Sequence, residues 1–539
     1  MEEKENNDLI GKRKNTLKNF FFGWVEDNYD KAFLGILLVA LILRFLVFLK
    51  TMDQAIWWDA ADYLATAKRW AGANPHLIDM WYYRRGFLWP LFGSLFLRFG
   101  LGEVGIRFAV VLLSTGIVAV SYLLVSKMFD KKLALFTSIG ITFSWIYLFF
   151  SGRPLTNLPA TFFLLTSLFF FWKGYVLKEG NKFIYLFGAF YALACLTRMQ
   201  YVTFAIPLMA LVFTKEKFRA LVNKHLWIAI GIFLIIFTPQ FVMHYQHFGN
   251  PITDLTYYYL GVGSGGEAGG AGTAPLYVYF TNLPYILDGN NAGYSSLLTL
   301  SPIYLLFVIG FFMFFFEMFL GLDKIFKNKE IQKKFFIFFW IGFTFLLLAY
   351  IAPHLEQRYM MQTLPFLFVI VAQPLIFFEE FLVRNFKIKK ILSVVLISTI
   401  FILLLYPSFV FANNLVELKK TSYIEVKQSG EWIKENSDPT DIIISSSLPQ
   451  TTYYSERSTY PFNLAYRRDI EKKNITETGE FIQTEKPKYM VISVYEQQIP
   501  DFEYWAYTYP QKNNHTVIPV KVYAQGEQPT LIVYEFKYD

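Results

Sequence analysis

Eleven apolar runs fill the first three quarters of this 539-residue chain, at about 33–50, 104–126, 133–150, 158–177, 183–197, 200–213, 226–243, 303–322, 335–352, 359–378 and 391–411. Most of them match the ~20 residues that a helix needs to cross a hydrocarbon core of ~30 Å. Backbone groups in lipid have only each other to bond to, so such runs must be helical. The expected fold class is therefore a membrane all-α protein of about 11 transmembrane helices. The two runs either side of Arg198 are short enough to form one broken hairpin.

The charges between the runs give the orientation. If the N-terminus is cytoplasmic, the inner pieces are 1–32, 127–132, 173–182, 215–224, 323–334 and 384–390, and they carry 25 of the 50 Lys and Arg, whereas 245–302 carries none. This asymmetry is the positive-inside pattern. It predicts a multi-pass protein of the cell membrane with exterior loops at 51–103 and 245–302 and an exterior C-terminal piece. The first run follows a long charged segment, "GKRKNTLK", which reads as a retained anchor rather than a cleaved signal. The excess charge of +8 then serves orientation, and membrane lipids rather than nucleic acid are the expected surroundings. A single cysteine, Cys195, excludes an intrachain disulfide and a cysteine-based metal cluster.

Two domains follow, a transmembrane domain over 1–412 and a soluble exterior α/β domain over 413–539. In the second, the alternating runs "TDIIISSS", "KYMVISVY", "TVIPVKVYAQ" and "PTLIVYEFKY" predict strands, and "IEVKQSGEWIKENS" predicts a helix. In the first loop, Leu64, Ala67, Trp70 and Ala71 share one side of a helix from Ala60, and "GFLWPLFGSLFLRFG" is too short to span. Both suit helices lying in the membrane interface. The glycines of "GVGSGGEAGGAGTAP" predict a mobile flap in the central loop.

Chemistry is expected on the exterior side. Asp59 and Asp62 stand one helical turn apart in "IWWDAADYLATAKRW" and resemble a capping box. Asp59 also sits at the membrane surface behind Trp57 and Trp58, where partial desolvation would raise its proton affinity toward that of a useful base. Arg84, Arg85 and Arg358 lie outside, against the positive-inside trend, where guanidinium forks can hold phosphate oxygens or snorkel to headgroups. Arg153, Arg198 and Arg44 also fall near outer ends of spans. His354 with Glu356, and His244 with His247, offer ligand chemistry without a metal-site spacing, and no metal or cofactor is expected. Glu267 is the only acid in the glycine-rich flap. The pieces "YVYFTNLPY" and "YWAYTYP" could stack on sugars or merely populate the interface.

Taken in order, Arg44 in the first run, "WWDAADYLATAKRWAGANP", "YYRRGFLWPLFGSLFLRFG", "GRPLTNLPATFFLL", "LTRMQY" and "EQRYMMQTLP" resemble the GT-C glycosyltransferases over about residues 35–380. The nearest branch is that of the protein mannosyltransferases and aminoarabinose transferases, and the exterior α/β domain is similar to the one ending the aminoarabinose transferases. The resemblance implies that Asp59 matches the aspartate taken as general base. Ala60 stands where a second acid is usual, so a second carboxylate role falls to Asp62 or is absent. It implies that Arg85, with Arg84 beside it, matches the basic residue before the interfacial helix, and that Arg358 matches an arginine at the exterior start of a late span. In the oligosaccharyltransferase branch a mobile loop carries an essential glutamate, the role open to Glu267.

The expected function is thus an inverting glycosyltransferase that takes a sugar from a polyprenyl monophosphate carrier, dolichyl or undecaprenyl. Its acceptor would be a hydroxyl of a protein, glycan or lipid. Arg84, Arg85 and Arg358 would hold the donor phosphate, and Arg153, Arg198, His354, Glu356 and Glu267 are further candidates for contact with substrate. The alternatives are a metal-dependent enzyme like the oligosaccharyltransferases and a flippase or transporter of lipid-linked sugars. A transporter should carry ionisable groups deep within several spans, and most of these runs have none.

Overall fold

A computed structural model of the chain describes residues 27–78, 85–252, 277–289, 301–351, 356–462, 475–497 and 501–538. All eleven apolar runs are helical. Helices α1 (Asn28–Thr51), α2 (Trp58–Ala71), α3 (Leu88–Arg98), α4 (Gly102–Met128), α5 (Lys131–Phe143), α6 (Trp145–Phe150), α7 (Asn157–Phe171), α8 (Asn181–Thr197), α9 (Ala205–Glu216) and α10 (Lys224–Phe248) form the first part. Helices α11 (Pro302–Leu320), α12 (Lys329–Ile351), α13 (Leu364–Phe386) and α14 (Lys390–Lys419) complete the bundle. Seven helices among the described residues are long and apolar enough to cross a membrane. Of the remaining runs, α8 is a shorter continuous helix, while α7 passes into a π-helical turn, Trp172–Val176, and α9 is entered through a 3-10 turn, Met199–Phe204.

The clearest interruption separates α5 from α6 at Ser144, whose backbone is extended. Ser408 of α14 repairs it. Its hydroxyl accepts from the Trp145 N–H at 3.0 Å and donates to the Phe143 carbonyl at 3.2 Å. One side chain thereby satisfies a donor and an acceptor that would each cost several kcal/mol if left bare in lipid. Close crossings rely on glycine, since a Cβ on Gly310 of α11 would collide with the Ile370 carbonyl of α13.

Beyond α14 the chain forms α15 (Ile424–Glu435), β1 (Ile442–Ser445), α16 (Leu448–Ser455), β2 (Ser458–Tyr460), α17 (Ile475–Glu485), β3 (Tyr489–Ser493), β4 (Val517–Gln525) and β5 (Gln528–Phe536). The sheet runs β2-β1-β3-β5-β4, with β1 parallel to β2 and β3, and β5 antiparallel to β3 and β4. The four expected strands and α15 are present. The segment "YWAYTYP" is not a free aromatic surface, because Trp505 is buried in this domain's core against Phe462 at 5.0 Å.

The sheet domain rests on the first loop, which changes the reading of α2. Residues Ala60 to Ala67 of α2 are all buried, because α3 covers one side and α16 another. Trp58 Nε1 donates to Glu496 at 2.7 Å, Lys68 donates to Glu456 and to the Tyr453 carbonyl at 2.8 Å each, and Asn74 donates to the Glu456 carbonyl at 2.8 Å. So α2 is not an interfacial helix with a free polar face, as its spacing suggested. Helix α3 does expose Leu91 and Leu95.

Candidate active site

Helix α2 begins at Trp58 after an extended Trp57 that makes no side-chain cap. The capping reading of Asp59 and Asp62 is therefore replaced: both carboxylates turn to arginine. Arg85 Nη2 lies 3.1 Å from Asp59 Oδ1 and 2.8 Å from Asp62 Oδ2, while its guanidinium sits 4.7 Å from the centre of the Tyr63 ring. Asp59 uses its other oxygen on Arg358, with Nη2 at 2.8 Å. Arg358 Nε is 3.1 Å from Glu356. Asp59 keeps 36% of its side-chain surface exposed and Asp62 only 10%, so Asp59 is the acid that a substrate can reach.

Burial alone would raise Asp59's proton affinity. Arg85 and Arg358, with Arg198 adding to their field, outweigh it and hold the carboxyl well below the usual carboxylate range. The desolvation argument from sequence thus has the wrong sign for this arrangement, because it counted the tryptophans and not the arginines that the fold brings in. Burial likewise opposes charge on Arg85 and Arg358, and their partners overcome it: Tyr63, Asp59 and Asp62 for Arg85, Asp59, Tyr359 and Glu356 for Arg358.

Arg85 is held at its backbone by a residue that sequence patterning missed. Gln240, fully buried in α10 one position after Pro239, accepts from the Phe87 N–H at 3.0 Å and donates to the Arg85 carbonyl at 3.1 Å and to His244 Nε2 at 2.7 Å. These bonds fix the amide orientation and make His244 Nε2 an acceptor, so that nitrogen is spent on Gln240. Gly86 presses directly on the Leu196 carbonyl, where any Cβ would clash. A Gln inside an apolar span is the signal that could have found it.

Arg358 sits on a 3-10 turn, Gln357–Met360, pinned from three sides. Tyr147 donates to the Met361 carbonyl at 2.5 Å, Gln362 donates to the Tyr359 carbonyl at 2.7 Å and accepts from Tyr201 at 3.2 Å, and Asn157 donates to the Arg358 carbonyl at 3.5 Å. The "TNLP" piece therefore serves the site through Asn157. Arg198, the C-cap of α8, lies 4.8 Å from the Tyr359 ring, and Arg358 lies 5.4 Å from the same ring.

The other candidates divide. Glu356 joins the cluster. Arg153 does not, since its guanidinium stacks on Trp57 and Phe149 at 4.3 and 3.7 Å. Arg44 bonds Ser114 and the Ala40 and Ile141 carbonyls inside the bundle. His247 contacts the Met243 carbonyl of its own helix. Arg84, Glu267 and His354 lie outside the described residues. Among the described residues no group of three or more His, Cys, Asp or Glu is arranged to hold a metal ion.

Comparison with known proteins agrees with this architecture. Residues 85–243 match the family model described as dolichyl-phosphate-mannose-protein mannosyltransferase. No curated protein sequence matches the chain. Among solved structures, ArnT from Cupriavidus metallidurans in the apo state superposes with a TM-score of 0.63 at 11% identity, covering 95% of this chain and 98% of that one. The same protein bound to undecaprenyl phosphate gives 0.60 at 12% identity, with the same coverage. The Archaeoglobus fulgidus oligosaccharyltransferase tethered to an acceptor peptide gives 0.60 at 12% identity, covering 96% of this chain and 75% of that one. The chain is a multi-pass membrane protein with the fold of the GT-C glycosyltransferases.

Proposed function

We propose that this protein moves a hexose or pentose from a polyprenyl monophosphate carrier to a hydroxyl of a protein, glycan or lipid on the outer face of a cell membrane. The observation that carries the reading is Asp59 bridged between Arg85 and Arg358. A carrier phosphate offers the same charge and the same paired oxygens as a carboxylate, so it can take Asp59's place on both guanidinium groups. The exchange supplies fixed donors where charge builds as the anomeric carbon–oxygen bond breaks. It also frees Asp59, whose proton affinity rises once its arginines are occupied. The acceptor oxygen then attacks the anomeric carbon from the opposite side, its proton passes to Asp59, and the carrier phosphate leaves with the bonding electrons and inversion. Asp62 remains on Arg85 and keeps the fork aligned, Glu356 does the same for Arg358, and Arg84 is a further phosphate contact. A lipid carrier is supported by the undecaprenyl phosphate of the similar ArnT structure and by the description of the matching family model.

The test uses full-length protein in lipid nanodiscs with labelled polyprenyl-phosphate mannose and other carrier sugars, membrane extract as acceptor, and chelator in parallel. Transfer that survives chelator and vanishes in Asp59→Asn supports the reading. Loss in chelator moves it to the metal-dependent oligosaccharyltransferase type. If no carrier sugar is consumed, or Asp59→Asn is as active as wild type, the proposal fails.

A further inference from the structure

A second polar cluster lies behind Trp57, in a small cavity lined by Gln54, Ile56, Trp57, Ala60, Arg107 and Arg153. None of Asp59, Arg85 and Arg358 lines it. Arg153 is only 3% exposed, and among the described residues no carboxylate pairs with it. Its Nη1 donates to the Phe149 carbonyl, while Nε and Nη2 are buried and have no hydrogen-bond partner among the described residues. Trp57 Nε1 is a third buried donor with no acceptor among the described residues. The neighbouring Arg107 is different: it binds Glu103 at 2.5 Å and the Gly152 carbonyl at 2.8 Å. The acid beside these two buried arginines thus pairs with Arg107 alone, and burial together with Arg107 pushes Arg153 down from its ordinary value.

The Trp57 and Phe149 ring faces attract the Arg153 cation, but they offer nothing to N–H groups in the guanidinium plane. The wall runs from Ile56 and Trp57 into the start of α2, a 14-residue helix whose first turn has no side-chain cap. Its positive end adds to the same field. Unpaired donors, a net positive charge and room for one water-sized species together define the chemistry of the occupant. We propose that this cavity binds a monatomic anion, chloride under physiological conditions, held by Arg153 Nε and Nη2 and by Trp57 Nε1. A monatomic ion is the species that the small space beside these donors suits. The ion neutralises Arg153 and fixes Trp57, two residues before Asp59. A water would suit Gln54 Oε1, which also lacks a donor, but would leave the charge unpaired.

The experiment follows thermal unfolding of the full-length protein in nanodiscs at constant ionic strength, replacing gluconate by chloride, bromide or sulfate. A saturable rise in Tm is expected with chloride and bromide and none with sulfate. Arg153→Met, which keeps an unbranched apolar stem and removes the guanidinium, should give a Tm indifferent to the anion. Trp57→Phe should fold and raise the half-saturating chloride concentration about tenfold, the worth of one charge-assisted hydrogen bond. The proposal is overturned if wild type unfolds at the same temperature in chloride and gluconate, as a water-filled cavity requires, or if Arg153→Met keeps the saturable rise. Should Arg153→Met fail to fold, an unchanged half-saturating concentration in Trp57→Phe overturns it equally.

Discussion

Asp59→Asn should bind the lipid carrier more tightly and use it more slowly. The carboxylate occupies Arg85 at 3.1 Å and Arg358 at 2.8 Å, so under the proposed function an incoming phosphate displaces it. Each such charge-assisted hydrogen bond is worth about 1.5–3 kcal/mol. The asparagine carbonyl still accepts from one arginine, and Asp59 is more than a third exposed, so solvent screening reduces the difference. A net relief of about 1–2 kcal/mol remains, which is about 5- to 30-fold in Kd. Meanwhile loss of the proton acceptor lowers kcat by about 10²–10⁴. Binding of polyprenyl phosphate to the variant in nanodiscs, measured by fluorescence or calorimetry, and single-turnover transfer of a labelled sugar separate the two effects. Weaker carrier binding in Asp59→Asn would refute the reasoning, because it would mean that the carboxylate aligns the arginines and does not compete with the phosphate.

Other consequences are open to simpler measurements. Gln240→Ala removes the bonds to the Arg85 and Phe87 backbone and leaves buried polar groups unmet at about 1–3 kcal/mol each; Tm should fall, and KM for the carrier should rise more than kcat falls. Trp58→Phe keeps an aromatic ring and deletes the donor to Glu496, so amide exchange in α16 and β3 should quicken while the spans stay protected. Because Asp59 is held below its unfolded value of about 3.9, its pairing adds stability at every pH above that value and loses it only as pH falls through the lower folded pKa. A pH series of thermal unfolding should therefore show no loss from this group between pH 5 and 8. An acid limb in kcat/KM near neutrality that persists in Asp59→Asn must then come from elsewhere.

The runs that became helices were legible because lipid leaves a backbone no alternative, and β1, β3, β4 and β5 were legible from alternation. The three residues of β2 carry too little pattern to stand out. Asp59, Arg85 and Arg358 could each be singled out one at a time. The resemblance placed them in one site; what stayed hidden was that they pair directly, held by Gln240, Asn157 and Tyr147 from other parts of the chain and by Gln362 beside the Arg358 turn. The sign of Asp59's perturbation reversed for the same reason: tryptophans are its neighbours in sequence and arginines its neighbours in space. Arg153 showed the opposite error, because an arginine near an outer span end looks like a substrate contact until Trp57 is seen stacked on it.

The Ser408 hydroxyl between Phe143 and Trp145 has a consequence for how the protein is made. Synthesis delivers α5 and α6 about 260 residues before α14. Until α14 emerges, the Trp145 N–H and Phe143 carbonyl have lost that partner, and α6 can bend freely at Ser144. Tyr147, which pins the Arg358 turn, rides on α6. The support of the Arg358 turn is thus completed by the last long apolar helix among the described residues to leave the ribosome, and chains truncated before Ser408 should insert as helices yet fail to assemble the arginine pair.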